Sequence, residues 1–167
     1  MSEHEPVETS EGERRAVAAM LAAGIEHEVT RHGRVGSLAE AAAARGVEPA
    51  DIVKTLVVRR GDDDHLFVLV PGDREIDWPL LREHLGVSRL SMPDAGTARD
   101  ATGYERGTIT PFGSTHAWPV VADASILRPE GRRVSIGAGA HGVAATVPAA
   151  RLVEVLGADV AGVTRPA

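Results

Sequence analysis

The stretch Ile52-Val53-Lys54-Thr55-Leu56-Val57-Val58, the polar turn from Gly61 to Asp64, and Leu66-Phe67-Val68-Leu69-Val70 decide the fold. Two runs rich in branched and aromatic residues, separated by glycine and aspartates, predict a hairpin of buried strands. Around it, capping signals mark helices. Ser10 with Glu13 is a capping box for a helix through Ala23, which Gly24 stops. Ser37 with Glu40 opens an alanine-rich helix that ends at Gly46. Residues 25–31 between them alternate like a strand. Asp77 caps a helix to Leu85, closed by Gly86; residues 87–91 read as a short strand and 93–101 as a short helix terminated by Gly103. Residues 103–119 form an ordered loop region, 120–127, 134–136 and 143–147 read as strands, and Pro148 begins a last helix ending near Gly157. With no repeat and no low-complexity linker, the expectation is a single α+β domain over residues 10–167 behind a loose acidic tail at 1–9.

Composition narrows the function. At 167 residues, with 43% hydrophobic and 25% charged side chains, the chain matches an ordinary one-core globular protein. No apolar run approaches the roughly 18–20 residues that cross a bilayer, so no membrane partner is expected. Five glutamates in the first twenty residues resemble neither a signal nor a transit peptide, and a cytoplasmic location is the default expectation. The absence of cysteine excludes disulfides and thiolate chemistry. A net charge of −6 lacks the basic surplus of a protein that tracks a long nucleic-acid backbone, so DNA is not an expected partner, while a local footprint on a nucleic-acid end is compatible.

Among 18 basic residues the only lysine is Lys54, set inside an apolar strand. An ammonium there is costly to bury and must open onto a pocket or find a partner. It could hold a phosphate or an ester carbonyl; the plainer alternative is an edge-strand lysine that discourages aggregation. Gly137-Ala138-Gly139-Ala140-His141-Gly142 matches GxGxxG, but a strand-like run follows it, where a dinucleotide site needs a helix. It reads instead as a glycine-rich strand connection, either a tight turn or a backbone approach to a ligand. In Pro111-Phe112-Gly113, Phe112 could stack on a base or a sugar, as could Tyr104, unless they fill the core. The seven histidines show no metal-ligand spacing, and no nucleophile elbow or triad order is present. Neither a metal nor another cofactor is called for.

The ordered set Ile52-Val53-Lys54-Thr55-Leu56, Val70-Pro71-Gly72-Asp73, Gly103-Tyr104, Thr110-Pro111-Phe112-Gly113, residues 120–123 and the glycines of 137–142 resembles the YbaK/prolyl-tRNA synthetase editing-domain family of aminoacyl-tRNA deacylases. The resemblance runs from about Val29 to about Gly157. It implies a mixed, mostly antiparallel sheet, curled and barrel-like, with flanking helices. It also implies a free-standing trans-editing hydrolase that cleaves the ester of a mischarged aminoacyl-tRNA, foremost tRNA(Pro) carrying alanine or cysteine. A non-catalytic module that binds aminoacyl-tRNA or a nucleotide is the alternative. Its partners are then the tRNA 3′ acceptor end and, as a second partner, an aminoacyl-tRNA synthetase. In this resemblance Lys54 orients the terminal adenosine and its phosphates, and the backbone of Gly113 lies beside the scissile ester. Thr55, Pro111, Phe112, Gly137, Gly139, His141 and Gly142 line the substrate, with His32, Ser37 and Arg74 near family positions around the pocket. Positioning and backbone stabilisation of the oxyanion would suffice for an ester already activated.

Overall fold

The computed structural model describes residues 10–167; the expected tail at 1–9 lies outside the described residues. Helix α1 (Glu11–Ala23) begins at Ser10, whose hydroxyl accepts from the Glu13 N–H at 3.2 Å, and it stops at Gly24. Strand β1 (Glu28–Arg31) and helix α2 (Leu38–Arg45) follow, the latter capped by Ser37 and ended by Gly46. Then come β2 (Val53–Gly61), β3 (Asp64–Pro71) and β4 (Arg74–Ile76). Asp77 caps α3 (Trp78–Leu85), and Asp94 caps α4 (Ala95–Thr102). The last third holds β5 (Val120–Asp123), β6 (Arg133–Gly137), β7 (Val143–Pro148), α5 (Ala149–Leu156), β8 (Asp159–Ala161) and β9 (Thr164–Pro166).

Three ladders result, with orders β1-β7-β6, β2-β3-β5-β8 and β4-β9. The β2–β3 hairpin is antiparallel, as are β1–β7, β6–β7 and β4–β9, whereas β5 runs parallel to both β3 and β8. The arrangement is α+β with a mixed, mostly antiparallel sheet. The ladders do not close into a barrel: β6 meets β2 at one parallel bridge, Ile52 to Ser135.

Alternation along the hairpin builds two cores, one on each face. Val53, Val57, Phe67 and Leu69 pack with α1, the β6–β7 hairpin and α5. Val58, Leu66, Val68 and Val70 pack instead with Ile76, Leu81 and Val163. β3 is buried from His65 to Pro71 while β2, at the sheet edge, is only partly so.

Some expectations change. Residues 87–91 form no strand; only Ser91 bridges Arg59, because Gly86, Ser88 and Arg89 interrupt any alternation. The strand expected over 120–127 ends at Asp123, whose carboxylate accepts from the Ser125 N–H and turns the chain into a 3-10 turn. The strand expected over 25–31 starts only at Glu28. Strands β4, β8 and β9 are three residues each, too short to show a period in sequence.

Candidate functional site

As the edge strand, β2 has an outer side with no continuous partner among the described residues. That side is bridged at Ile52 by Ser135 and again at Arg59, which exchanges backbone bonds of 2.7 and 3.1 Å with Ser91. In an antiparallel strand, residues two apart aim their N–H and C=O the same way. The backbone groups of Thr55 and Val57 therefore point, like those of Arg59, out of the sheet and into the gap between the two bridges.

The gap opens on a cavity of about 800 Å³. Its walls are β2 from Val53 to Val57, Gly137 at the end of β6, Gly107 and Ile109 of the loop after α4, and the Met92-Pro93 segment with Ala98. Three cations line it: Arg45, Lys54 and Arg106. The lining carboxylate, Asp94, is committed to capping α4 through the Thr97 N–H at 2.7 Å, which holds it below the usual carboxylate range. In a chain of net charge −6, this mouth is electropositive.

Lys54 donates from Nζ to the Arg74 carbonyl oxygen at 2.9 Å. An ammonium has three donors, so two remain. The Thr55 Oγ1 is buried with no partner among the described residues. Gly137 belongs here for steric reasons, since a Cβ at this position would stand 3.2 Å from the Ile109 carbonyl oxygen. Arg45, at the last turn of α2, reaches His32 Nε2 and Ser135 Oγ, each at 3.4 Å. Burial without a carboxylate partner pushes its guanidinium below the ordinary arginine value.

The structure thus brings Lys54, Thr55 and Gly137 to one cavity and leaves the other sequence candidates off its walls. Phe112 is core: its ring is 4% exposed, and its carbonyl accepts from the Tyr104 hydroxyl at 2.6 Å. Gly113 sits behind it, at φ 75°, where an added Cβ would stand 2.6 Å from both the Arg15 carbonyl oxygen and the Tyr104 hydroxyl. Its own carbonyl is taken by Arg15 Nε at 3.1 Å. Pro111 starts the tight turn that accepts the Ser114 N–H. Gly139 packs against the Gly12 backbone, and Gly142 bonds His32, whose N–H donates to its carbonyl at 2.8 Å. Ser37 spends its hydroxyl on the α2 cap. The Arg74 guanidinium faces Thr164, with Nε 2.6 Å from its hydroxyl and 4.0 Å from Asp123. His141 stands at the rim, its ring beside Gly107 and its Nε2 3.6 Å from Glu105.

Arg45 and Arg106 are the lining cations that sequence reasoning passed over, and Met92 to Ala95, Ala98 and Ile109 are further lining residues it did not single out. Arg45 reads in sequence as an ordinary basic residue closing a helix. Arg106-Gly107 stands in a loop whose packing no periodicity reports.

A sequence model of the aminoacyl-tRNA editing domain matches residues 32–155. Among curated relatives, proline–tRNA ligase of Thermosipho melanesiensis is 34% identical over 101 residues, covering 60% of this chain and 18% of that one. The ligase of Heliobacterium modesticaldum is 36% identical over 81 residues, covering 48% and 14%. The chain therefore spans under a fifth of the length of these relatives. A crystal structure of a hypothetical protein superposes with TM-score 0.80 at 27% identity, covering 90% of this chain and 99% of that one. A candidate trans-editing enzyme for prolyl tRNA synthetase superposes with TM-score 0.84 at 24% identity, over 95% and 99%, and shares the fold. The match spans most of the chain and contains the strand edge, Lys54 and the loops around the cavity: the chain belongs to the aminoacyl-tRNA editing domain family.

Proposed function

We propose that the protein hydrolyses the ester of mischarged aminoacyl-tRNA, with the 3′ end of tRNA(Pro) carrying alanine or cysteine as substrate, and that it does so without help from a synthetase active site. The observation that carries this reading is the cavity itself. It pairs an electropositive mouth holding Lys54 with a wall of outward-facing backbone N–H groups at Thr55 and Val57. The first attracts a phosphorylated chain end, and the second offers donors to a carbonyl oxygen as it becomes negative. The identity of the curated relatives as proline–tRNA ligases supports tRNA(Pro).

In the proposed reaction a water oxygen attacks the ester carbonyl carbon, the C–O bond to the ribose breaks, and the ribose oxygen takes up a proton. The free amino acid and a tRNA with an intact 3′ hydroxyl leave. Among the described residues no histidine lines the cavity, and its lining carboxylate is a helix cap. Proton transfer therefore falls to water or to the substrate's own neighbouring hydroxyl, and the protein contributes position and electrostatics. Lys54, held from behind by the Arg74 carbonyl, orients the chain end with its remaining donors.

The test is to incubate the protein with tRNA(Pro) charged separately with alanine, cysteine and proline. The expected result is loss of alanine or cysteine, sparing of proline, and no loss with Lys54→Ala. Stoichiometric binding of all three without turnover would replace this reading with a binding module.

A further inference from the structure

Arg45 is partly buried and, like Arg15, whose guanidinium donates to the Gly113 and Gly103 carbonyl oxygens, it has no carboxylate partner among the described residues. Arg132 is tied to Asp51 at 2.8 Å, Arg60 to Asp64 at 3.0 Å, and Arg74 lies 4.0 Å from Asp123. Among the described residues Arg45 has two hydrogen-bond partners, His32 and Ser135, both at 3.4 Å, the long limit of a hydrogen bond. A guanidinium carries five donors, and desolvating one without a counter-charge is unfavourable. The fold holds it there nonetheless, on the last turn of a helix fixed at both ends by Ser37 and Gly46.

Its location supplies the reason. Arg45 lines the 800 Å³ cavity and also a neighbouring groove of about 900 Å³ that runs past Val47, Arg132 and Thr146. It stands at the threshold between the two. In that groove Arg132 is already paired with Asp51, and Arg133 reaches Glu26 at 3.3 Å, while Glu28 and Glu48 also line it. Among the described residues the groove beyond the threshold therefore offers no other uncommitted cation, and the positive charge is focused at Arg45.

We infer that Arg45 is a substrate-positioning residue that binds one backbone phosphate of the RNA 3′ end, the one crossing from the cavity into the groove. The inference rests on the reading of the cavity as the acceptor-end site and adds the path by which the chain leaves it. A planar guanidinium with unused donors fits a phosphate in a bidentate manner, which an ammonium does not.

The probe is a 5′-fluorescein-labelled acceptor-stem RNA hairpin ending in CCA-3′, compared with the same hairpin lacking those three nucleotides, in anisotropy titrations at several salt concentrations. For the CCA hairpin, Arg45→Gln should weaken binding several-fold and lower the slope of log affinity against log salt by about 0.7, the value for one single-strand phosphate. Arg45→Lys should keep the slope yet bind less tightly than the native chain. The shortened hairpin should bind all three proteins alike. Thermal midpoints should match, because no ion pair is lost. An unchanged slope overturns the inference, and so does a large drop in midpoint for Arg45→Gln, which would make Arg45 a structural link. Because binding is read without turnover, a changed slope with no ester loss would sink the hydrolase and leave Arg45 in place. Lysine-dependent turnover with an unchanged slope would do the reverse.

Discussion

The ammonium of Lys54 rests on the carbonyl oxygen of Arg74, 2.9 Å away across the start of the β2–β3 hairpin. This contact makes the one lysine of the chain an internal strut as well as a candidate ligand, so its substitutions must be read on two scales. Lys54→Ala should lower stability by only about 1 kcal/mol, the worth of one net hydrogen bond. It should lower deacylation by roughly a hundredfold or more, as for loss of a positioned charged donor. Lys54→Arg should also be slow, since the guanidinium fork is larger and cannot rest on Arg74 in the same way. Rates with each charged tRNA, alongside thermal melts, separate the two scales.

Two glycines singled out from sequence should behave oppositely. Gly113→Ala meets Arg15 backbone and the Tyr104 hydroxyl at 2.6 Å with φ at 75°, so it should melt well below the native protein, losing about 3 kcal/mol or more. Gly137 lines the cavity, and a Cβ there would stand 3.2 Å from the Ile109 carbonyl oxygen, with the Thr108 carbonyl oxygen at an ordinary 4.0 Å. Gly137→Ala should keep most of its stability while raising KM. Comparing the melting temperatures with KM for the charged tRNA checks the pair.

Acid sensitivity should centre on Asp123. Burial pushes its carboxyl up, but bonds from the Ser125 hydroxyl and N–H, the Val163 N–H and Thr164 outweigh this and hold it below the usual carboxylate range. A carboxyl depressed in the folded state contributes stability above its unfolded value of about 3.9, and that contribution is lost as pH falls through the lower folded value. Melting temperature should therefore fall steeply below about pH 4. Asp123→Asn should cost about 1–3 kcal/mol at neutral pH and flatten that acid limb. Melts from pH 7 downward would show both.

The wall at Ala98 offers a steric probe. This side chain is 7% exposed and lines the cavity from α4. Ala98→Leu should fill part of the cavity that Thr55 also lines, costing about 1–3 kcal/mol in overpacking. Turnover of cysteinyl-tRNA should fall further than that of alanyl-tRNA. Equal losses on both would place the amino acid elsewhere.

Much of the fold was legible because its signals are local. The caps at Ser10, Ser37 and Asp77, the stops at Gly24, Gly46 and Gly86 and the hairpin around Gly61 each act within a few residues and form where expected, although the two capping boxes are only half made: the Glu13 carboxylate pairs with Arg31 and that of Glu40 accepts from the Gly36 N–H. What escaped depends on distant partners. β9 exists because Thr164 pairs with Ile76 and accepts from Arg74, 90 positions away. Of the candidate residues, the rare Lys54 lines the cavity, whereas in Pro111-Phe112-Gly113 the Phe112 and Gly113 positions pack under Tyr104 and Arg15 and stand off its walls. Arg45 stayed hidden because its lack of a counter-charge is a fact of three dimensions.

The stretch that carries the family likeness, 32–155, is narrower than the stretch that holds itself together. Ala16 and Met20 of α1 are fully enclosed in the larger core, Gly12 lies backbone to backbone on Gly139, and Arg15 clasps Gly103 and Gly113. At the other end Val163 is sealed and its N–H donates to Asp123 at 3.0 Å. Anyone transplanting this unit into another polypeptide should therefore cut outside Ser10 and Pro166; a graft trimmed to the recognisable segment would carry the cavity without the timber that braces it.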